Sequence, residues 1–231
     1  MEIIVHGEGA MGNVLADLIK NQEELFLTGF SSELKDETGD IIIDFSHPGR
    51  LETLLDYAVE KKIPLLIATT GYSEEISEKI QIAGRSIPIL ISTNTSIGVN
   101  IVNRILENIA PVLYKNFDIE IIEKHHNKKL DSPSGTAKTL YNTIKNSCSE
   151  EFNEVHGRLG NSRRDKGEIG IHAVRGGTVV GEHSILFAGE DEIIEIKHTA
   201  LSKKIFAKGA IEAGKLLIKK SAGVYTMKDI Y

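Results

Sequence analysis

The chain has 231 residues, 41% of them hydrophobic, which is enough apolar material for one or two domains with their own cores. The formal net charge of −6 argues against a nucleic-acid partner, which would need a broad basic surface. The single cysteine, Cys148, excludes an intramolecular disulfide. No signal peptide precedes the first predicted strand, and no apolar run approaches the roughly 18 residues of a membrane span. We therefore expect a cytoplasmic protein with no membrane partner.

Short apolar runs alternate with helical patterns through the first half of the chain. The apolar runs predict strands over residues 3–6, 25–30, 40–45, 64–71 and 88–93. Apolar residues at helical spacing predict helices over residues 11–21, 49–62 and 73–85. The run DIIIDF is apolar on both faces, which is typical of a buried parallel strand. This order predicts an α/β fold with an N-terminal Rossmann-type, doubly wound parallel sheet.

The second half has a different pattern, in which strands follow one another. Helices are predicted over 98–114, 134–147 and 203–220, and strands over 117–126, 167–177, 178–189 and 191–200. The last three strands are consecutive and are separated by glycine-rich or acidic turns. This pattern predicts a C-terminal α+β domain with a mixed or antiparallel sheet.

A glycine motif, GEGAMG, directly follows the first predicted strand and opens the first helix, as in dinucleotide-binding proteins. Gly7 would permit the tight turn, Gly9 would let the backbone approach a pyrophosphate, and Gly12 would let the helix pack closely. An ordinary glycine turn is the alternative. The predicted cofactor-binding residues of this loop are Gly7, Glu8, Gly9, Ala10, Met11 and Gly12.

The second predicted strand does not end in the acid that usually holds a ribose 2′-hydroxyl. Ser31 or Ser32 occupies that position and Lys35 follows closely, so a 2′-phosphate is allowed and the cofactor is NADPH or NADH. Other small and polar residues follow the carboxyl ends of predicted parallel strands, where open α/β sheets bind ligands. Capping of a loop explains any single one equally well. The further predicted cofactor contacts are Phe45, Ala68, Thr69, Thr70, Ser92, Thr93, Asn94 and Thr95.

A local basic cluster, EKHHNKKLDSPSGTA, interrupts this acidic chain just before a predicted helix. Ser134 can cap that helix, and Gly135 and Thr136 would expose N–H groups to an anion. Adjacent residues of a strand point to opposite faces, so His125 and His126 are poorly placed to share an ion, and we predict no metal. A solvated charged surface is the plain alternative. A histidine in an anion site can move protons near neutral pH.

The residues described so far carry a resemblance over nearly the full length. The chain resembles the 4-hydroxy-tetrahydrodipicolinate reductase (dihydrodipicolinate reductase) family of lysine and diaminopimelate biosynthesis. The motifs that carry it are GEGAMG, DFSHP, ATTG, NTSIGVN, EKHHNKKLDSPSGTA, IGIHAVRGGTVVGEHSILFAG and FAKGAIEAGKLL. The resemblance implies NAD(P)H-dependent reduction of a cyclic dicarboxylate imine. It also implies a dinucleotide-binding domain of residues 1–95 and 205–231, and a substrate-binding and oligomerisation domain of residues 96–204.

The resemblance also implies roles for the basic cluster. His125 would be the catalytic proton donor and Lys129 a second acid. The substrate, a small dicarboxylate, would be held by His126, Ser134, Gly135 and Thr136. The sheet of the second domain would assemble a homotetramer. The chain departs from the family pattern in a shorter glycine loop, the absent strand acid and Thr95 in place of a frequent phenylalanine, which bear on the cofactor rather than on the reaction.

Two alternatives remain at this point. The first is a related Rossmann oxidoreductase of the sugar or semialdehyde dehydrogenase type, acting on another small anion. The former carries Glu-Lys-Pro where this chain has Glu-Lys-His, and the latter needs a nucleophilic cysteine, whereas Cys148 lies in a polar helix end. The second is a non-catalytic dinucleotide-binding module, which the presence of His125 and Lys129 argues against.

Overall fold

The computed structural model describes residues 1–231, and the chain divides into two units. Unit 1 contains residues 1–97 and 203–231, and unit 2 contains residues 98–202. The predicted domain boundaries, at 95–96 and 204–205, fall close to these limits. Which unit binds which ligand stays a prediction. None of the helices is long and apolar enough to cross a membrane.

Unit 1 is built on a six-stranded sheet in which every strand pair is parallel. Numbered along the whole chain, its strands are β1 (Glu2–His6), β2 (Phe26–Ser31), β3 (Ile41–Asp44), β4 (Leu65–Ile67), β5 (Pro88–Ile91) and β11 (Gly223–Thr226). Its helices are α1 (Ala10–Lys20), α2 (Leu51–Lys61), α3 (Glu74–Ala83), α6 (Lys204–Leu217) and α7 (Met227–Ile230). The order across the sheet is β11-β5-β4-β3-β1-β2.

Both faces of this sheet are covered by helices, because alternate residues of each strand bury on opposite sides. On β1, Ile3 and Val5 pack in one core cluster with residues of α1 and α6. Ile4 packs in a second cluster with residues of α2 and α3. The predicted doubly wound parallel sheet is therefore confirmed.

Some elements of unit 1 differ from the predicted bounds. The predicted strand 64–71 is only Leu65–Ile67, since the chain leaves the sheet at the small polar residues that follow. Strand β11 and helix α7 were not predicted. β11 pairs with β5, with Val224 opposite Ile89, and forms the edge of the sheet.

Unit 2 combines helices with a five-stranded mixed sheet. Its elements are α4 (Ile97–Leu113, whose first residue belongs to unit 1), β6 (Asp118–His125), α5 (Gly135–Ser147), β7 (Asn153–His156), β8 (Glu168–Arg175), β9 (Gly181–Ala188) and β10 (Ile193–Ala200). The sheet order is β10-β9-β6-β8-β7. The pairs β6–β8 and β7–β8 are parallel, whereas β9 runs antiparallel to β6 and β10. The predicted mixed sheet is confirmed, although β7 was not predicted and β6 separates β8 from β9.

Strand β6 connects the core of unit 2 to its basic cluster. Ile119 and Ile121 are buried in one cluster with residues of α4 and α5. Because side chains alternate along a strand, Glu123 and His125 continue the same inward face to the end of β6. Both are buried, at 0% and 8% exposure. A carboxylate and an imidazole thus take the place of the apolar core where the strand ends.

Candidate active site

The carboxyl ends of the parallel strands in unit 1 lie side by side. The register pairs His6 with Ser31 and Asp44, and pairs Ile67 with Asp44 and Ile91. The predicted cofactor contacts all lie at or just after these strand ends, so the fold brings them to one edge of the sheet. Their role in binding stays a prediction.

The glycines of the GEGAMG loop serve different purposes. Gly7 has a φ of +104°, and a Cβ there would lie 2.6 Å from the Phe45 carbonyl oxygen. A Cβ on Gly12 would lie 1.8 Å from the Gly7 carbonyl oxygen. The fold therefore requires both glycines. Gly9, by contrast, would meet no atom within 4 Å, so the space beside the first turn of α1 is open.

The start of α1 offers donors to an anion. Gly9 caps the helix without a side-chain hydrogen bond, and the first turn contains no acid. The first N–H groups of a helix have no partner within it, and the helix dipole favours negative charge there. This is the geometry that binds a pyrophosphate.

Several buried polar atoms at the same edge have no hydrogen-bond partner within the protein. They are the Oδ2 atom of Asp44 and the hydroxyls of Ser46, Thr69 and Ser92. A buried polar atom without a partner is costly, so such atoms mark places where a polar ligand compensates. A nicotinamide dinucleotide, with its amide and ribose hydroxyls, fits this edge of the sheet.

Other predicted contacts are already engaged. The Thr95 hydroxyl donates to the Phe206 carbonyl at 2.7 Å, and a Cβ on Gly209 would lie 1.8 Å from the Thr95 carbonyl oxygen. Asn94 Oδ1 accepts from the Ser96 N–H at 2.9 Å. The Thr95 contacts hold the loop after β5 against α6, and the Asn94 contact is made within the loop. The side chains of Thr95 and Asn94 therefore shape this loop, and their contact with a cofactor stays a prediction.

The end of β2 carries an acid that sequence reasoning did not place there. Glu8 Oε2 accepts a hydrogen bond from the Ser32 N–H at 3.1 Å. Glu8 was predicted only as part of the glycine loop. Because Glu8 and Ser32 are 24 residues apart, only the pairing of β1 with β2 shows that the carboxylate reaches this point.

In unit 2, the carboxylate of Glu123 organises the end of β6. His125 Nδ1 lies 2.5 Å from Glu123 Oε2. The Arg175 guanidinium donates to both oxygens of Glu123, at 2.8 and 2.7 Å. The Ser134 N–H donates to Oε1 at 3.0 Å. Such a bidentate arginine–carboxylate pair is strong and directional, so the four groups hold one another in place.

The electrostatics of this network set the pKa of His125 and decide which of its nitrogens carries a proton. Burial alone would raise the pKa of Glu123, but the hydrogen bonds from Arg175, His125 and Ser134 outweigh it and lower that pKa. Burial lowers the pKa of His125 below its ordinary value, although Glu123 opposes the shift. Since the Glu123 carboxylate accepts from Nδ1–H, Nε2 is the atom of His125 that can exchange a proton. A Cβ on Gly181 would lie 3.1 Å from Nε2, so a glycine there preserves space around it.

A second buried histidine adjoins the first. The His183 ring lies 5.2 Å from the His125 ring, edge to face, and His183 Nε2 lies 3.0 Å from the Ser134 hydroxyl. Burial, and then the neighbouring His125, lower the pKa of His183 to about 4. His183 is therefore neutral near pH 7 and does not compete with His125 for a proton.

The remaining predicted substrate residues follow β6. Lys129 lies in the turn after the strand, and its Nζ is 2.8 Å from Asp131 Oδ1 rather than bonded to His125. The positive charge of Lys129 nevertheless helps to lower the pKa of His125. The Ser134 hydroxyl caps α5 by accepting from the Ala137 N–H at 3.1 Å. Gly135, the first residue of α5, would carry a Cβ with no atom within 4 Å.

Sequence reasoning missed Glu123, Arg175 and His183 as members of this network. The spacing of Glu123 and His125, two residues apart on one strand, is a local signal that both share a face. The other two have no local signal. Arg175 lies opposite His125 across β6 and β8, and His183 lies opposite Glu123 across β6 and β9, so only the strand register reveals them.

Comparison with known proteins gives matches along the chain. Residues 98–231 match the family model for the C-terminus of dihydrodipicolinate reductase, and residues 28–95 match the model for its N-terminus. A 4-hydroxy-tetrahydrodipicolinate reductase of Brachyspira hyodysenteriae is 51% identical over 230 residues, covering 100% of this chain and 99% of that protein. The same enzyme of Clostridium novyi is 44% identical, covering 99% and 97%.

A solved structure has the same fold. The dipicolinate-bound dihydrodipicolinate reductase from Paenisporosarcina sp. TG-14 matches with a TM-score of 0.82 and covers 100% of this chain and 99% of that one. Its sequence is 20% identical, so this likeness concerns the fold alone.

Proposed function

The chain belongs to the 4-hydroxy-tetrahydrodipicolinate reductase family, and from that membership we propose how its two units divide the reaction. It is an oxidoreductase of lysine and diaminopimelate biosynthesis, and its family uses NAD(P)H to reduce a cyclic dicarboxylate imine. The full-length similarity to these reductases argues against both alternatives, a dehydrogenase of the sugar or semialdehyde type and a non-catalytic module. The roles of individual residues are the proposal.

Unit 1 binds the dinucleotide in this proposal. The N–H groups at the start of α1 bind the pyrophosphate, which passes through the open space beside Gly9. The unpaired hydroxyls of Thr69 and Ser92 bind polar groups of the nicotinamide half. When bound, the dihydronicotinamide supplies the hydride. What supports this assignment is the set of unpartnered polar atoms at one sheet edge.

Unit 2 binds the dicarboxylate in this proposal. One carboxylate sits on the N-terminus of α5, where Gly135 leaves room and the Thr136 hydroxyl donates. Lys129 and His126 contribute charge-assisted hydrogen bonds, each worth roughly 1.5–3 kcal/mol. The basic cluster of an acidic chain is thus explained by a substrate with two carboxylates.

His125 supplies the proton in this proposal. Hydride addition leaves an electron pair on the ring that must be protonated, and Nε2 is the free nitrogen of His125. Glu123 keeps the proton of Nδ1 in place and stabilises the imidazolium that donates. A bound dianionic substrate raises the pKa of His125 and so promotes its protonation where it is needed. The buried Glu123–His125–Arg175 network is the observation that carries the assignment.

Calorimetry with pyridine-2,6-dicarboxylate, a flat mimic with both carboxylates, tests the substrate site. Thr136→Val keeps the shape of the side chain but removes the hydroxyl, and we expect it to weaken the mimic about tenfold. Thr139→Val, one turn further along α5, is the matched control and should leave the affinity for the mimic unchanged. Equal affinity in wild type and Thr136→Val would show that the start of α5 is not the carboxylate site.

The oligomeric state belongs to the proposal as well. On the sheet face opposite α4 and α5, Ile193 is 66% exposed and Val174 46% exposed. Exposed apolar side chains on a sheet face favour association. We propose a homotetramer assembled through this face, in the cytoplasm. Light scattering should give four chain masses, and Val174→Glu should lower that mass, whereas a wild-type monomer would overturn the assembly.

A further inference from the structure

We propose that Glu8 recognises the adenosine ribose of the cofactor and makes the enzyme prefer NADH over NADPH. The inference rests on the proposed cofactor site of unit 1. In dinucleotide-binding sheets, an acid at the end of the second strand accepts hydrogen bonds from the ribose hydroxyls. Here β2 ends in Ser31 and no acid follows directly, but the glycine loop delivers a carboxylate to the same place.

The geometry of Glu8 suits this role. Its Oε2 accepts from the N–H of Ser32, the first residue after β2, at 3.1 Å. This is the only hydrogen bond of the Glu8 side chain, since the Asn13 amide donates to the Glu8 backbone carbonyl instead, so Oε1 remains able to accept from a ribose. The side chain is exposed and directly precedes Gly9, the cap of α1 where the pyrophosphate would bind. A carboxylate between the pyrophosphate site and the end of β2 lies where the adenosine ribose must pass.

The same contacts disfavour a 2′-phosphate. Glu8 occupies the Ser32 N–H, which would otherwise donate to a phosphate. Ser31 is also engaged, since its hydroxyl donates to the Glu33 carbonyl and accepts from the Glu33 N–H, both at 2.9 Å. The Arg50 guanidinium is paired with Glu33 and the Ser32 carbonyl, both at 3.0 Å. A phosphate would therefore meet two carboxylates and few unoccupied donors.

Lys35 carries the opposing possibility. Its side chain is exposed and forms no ion pair, and it follows β2 closely enough to attract a phosphate. If Lys35 dominates, NADPH is preferred and Glu8 is only a loop residue. The two residues therefore make opposite predictions about one measurable ratio.

Binding of the adenosine half-molecules decides between them without catalysis. Calorimetry on the full chain compares the affinities for 5′-ADP and 2′,5′-ADP. Because the protein contains no tryptophan, binding of NADH and NADPH can be followed by the fluorescence of the cofactors themselves. We expect the wild type to bind 5′-ADP and NADH more tightly. Glu8→Gln should reduce that preference roughly tenfold or more, because a hydrogen bond to a charged group and a repulsion are both lost. The ratio of kcat/KM for NADH to that for NADPH should fall in parallel.

Three variants make the test specific. Glu8→Asp keeps the charge but shortens the reach, so it should weaken 5′-ADP while still rejecting 2′,5′-ADP. Glu33→Gln removes the same charge beside β2, from a carboxylate that Arg50 already neutralises, and should leave the preference unchanged. Lys35→Gln should also leave it unchanged. The role of Glu8 is overturned if the wild type prefers 2′,5′-ADP and Lys35→Gln abolishes that preference. It is also overturned if Glu8→Gln leaves the ratio of the two affinities unchanged. Failure to bind any of the four nucleotides would instead overturn the cofactor site itself.

Discussion

The edge of the sheet in unit 1 and the end of β6 in unit 2 treat polar groups in opposite ways. At the first, uncharged hydroxyls such as those of Thr69 and Ser92 are buried without partners. At the second, the charged Glu123 is fully buried and receives hydrogen bonds from Arg175, His125 and Ser134. In our proposal, the hydrogen-bonding capacity of the first edge is used by the cofactor. The second fixes its own charges in advance, which is what proton transfer requires.

The difference also predicts where each unit tolerates change. A change to an unsatisfied hydroxyl, or to the open space beside a glycine, should weaken ligand binding without lowering the stability of the fold. A buried ion network is different, because breaking a buried pair leaves an unpaired charge and destabilises the fold. Variants in unit 1 should therefore separate binding from stability, whereas variants in the Glu123 network should change stability and catalysis together.

The largest expected effect follows loss of His125, the proposed proton donor, or of Lys129, which the family resemblance makes a second acid. His125→Gln and Lys129→Met should each lower kcat by roughly 10²–10⁴-fold, the usual scale for loss of a general acid. NADH affinity, which belongs to unit 1 in the proposal, should barely change. Steady-state kinetics with fluorescence titration of NADH gives both quantities, and near-normal turnover in both variants would remove the assignment.

Glu123→Gln should combine a stability loss with a shifted pH profile. Removing the charge beside Arg175 should lower the free energy of unfolding by about 3–5 kcal/mol. Because Glu123 raises the pKa of His125, its loss lowers that pKa further. If catalysis requires protonated His125, kcat/KM of the wild type falls as the pH rises, with a midpoint below pH about 6.5. In Glu123→Gln this descending limb of the pH profile should move to still lower pH.

Arg175→Lys is the companion variant, since it keeps a positive charge beside Glu123 and should leave the limb nearly in place. Urea unfolding and a pH–rate profile provide the two measurements. A limb that stays fixed in Glu123→Gln would mean that His125 is not the group being observed.

Two glycines provide a matched test of the open spaces. Neither Gly9 nor Gly135 would bring a Cβ within 4 Å of another atom, so alanine at either position fits the folded protein. Gly9→Ala should raise KM for the cofactor and Gly135→Ala should raise KM for the dicarboxylate, each by about tenfold. Melting temperatures should stay close to the wild-type value. Exchange of the two effects, or no effect on either KM, would contradict the division of roles between the units.

A further prediction concerns the stability of the fold in acid. His183 has a pKa of about 4 in the folded protein, so between pH about 6.5 and 4 the unfolded chain binds its proton more readily. The contribution of neutral His183 to the free energy of unfolding is therefore fully present above pH about 6.5. It is lost on acidification, by up to about 1.4 kcal/mol per pH unit. His183→Gln retains a partner for Ser134 and should flatten this dependence. Urea unfolding at pH 7 and pH 5 compares the two proteins, and equal slopes would assign the loss to other groups.

Much of the architecture could be predicted from local patterns. Apolar runs such as DIIIDF and the helical spacing of α1 are set by burial, which acts on each segment in the same way wherever it lies. The missed elements are short and weakly apolar: β7 is Asn153–His156, and β11 is Gly223–Thr226. Both exist because a neighbouring strand, β8 or β5, offers hydrogen bonds. No local signal announces such a partner.

The candidate site was predictable only in part for the same reason. His125, Lys129 and the start of α5 lie within one continuous motif, so the sequence presents them together. Arg175 and His183 come to His125 through strand register, and Glu8 comes to Ser32 through the pairing of β1 and β2. Long-range pairing decides these contacts, and a single sequence does not display it.

Unit 1 is discontinuous, and this has a consequence for synthesis on the ribosome. When residue 202 leaves the exit tunnel, all of unit 2 is available to fold, but α6 and β11 are still missing from unit 1. Leu66 and Leu90 then lack the cover that Ala210 and Ile211 of α6 provide in the finished core. We therefore expect unit 2 to fold first, although most of unit 1 is synthesised before it. Until α6 and β11 emerge, unit 1 should stay incompletely folded and bind chaperones. Protease protection of chains stalled near residue 202 would reveal that order, and equal protection of both units would refute it.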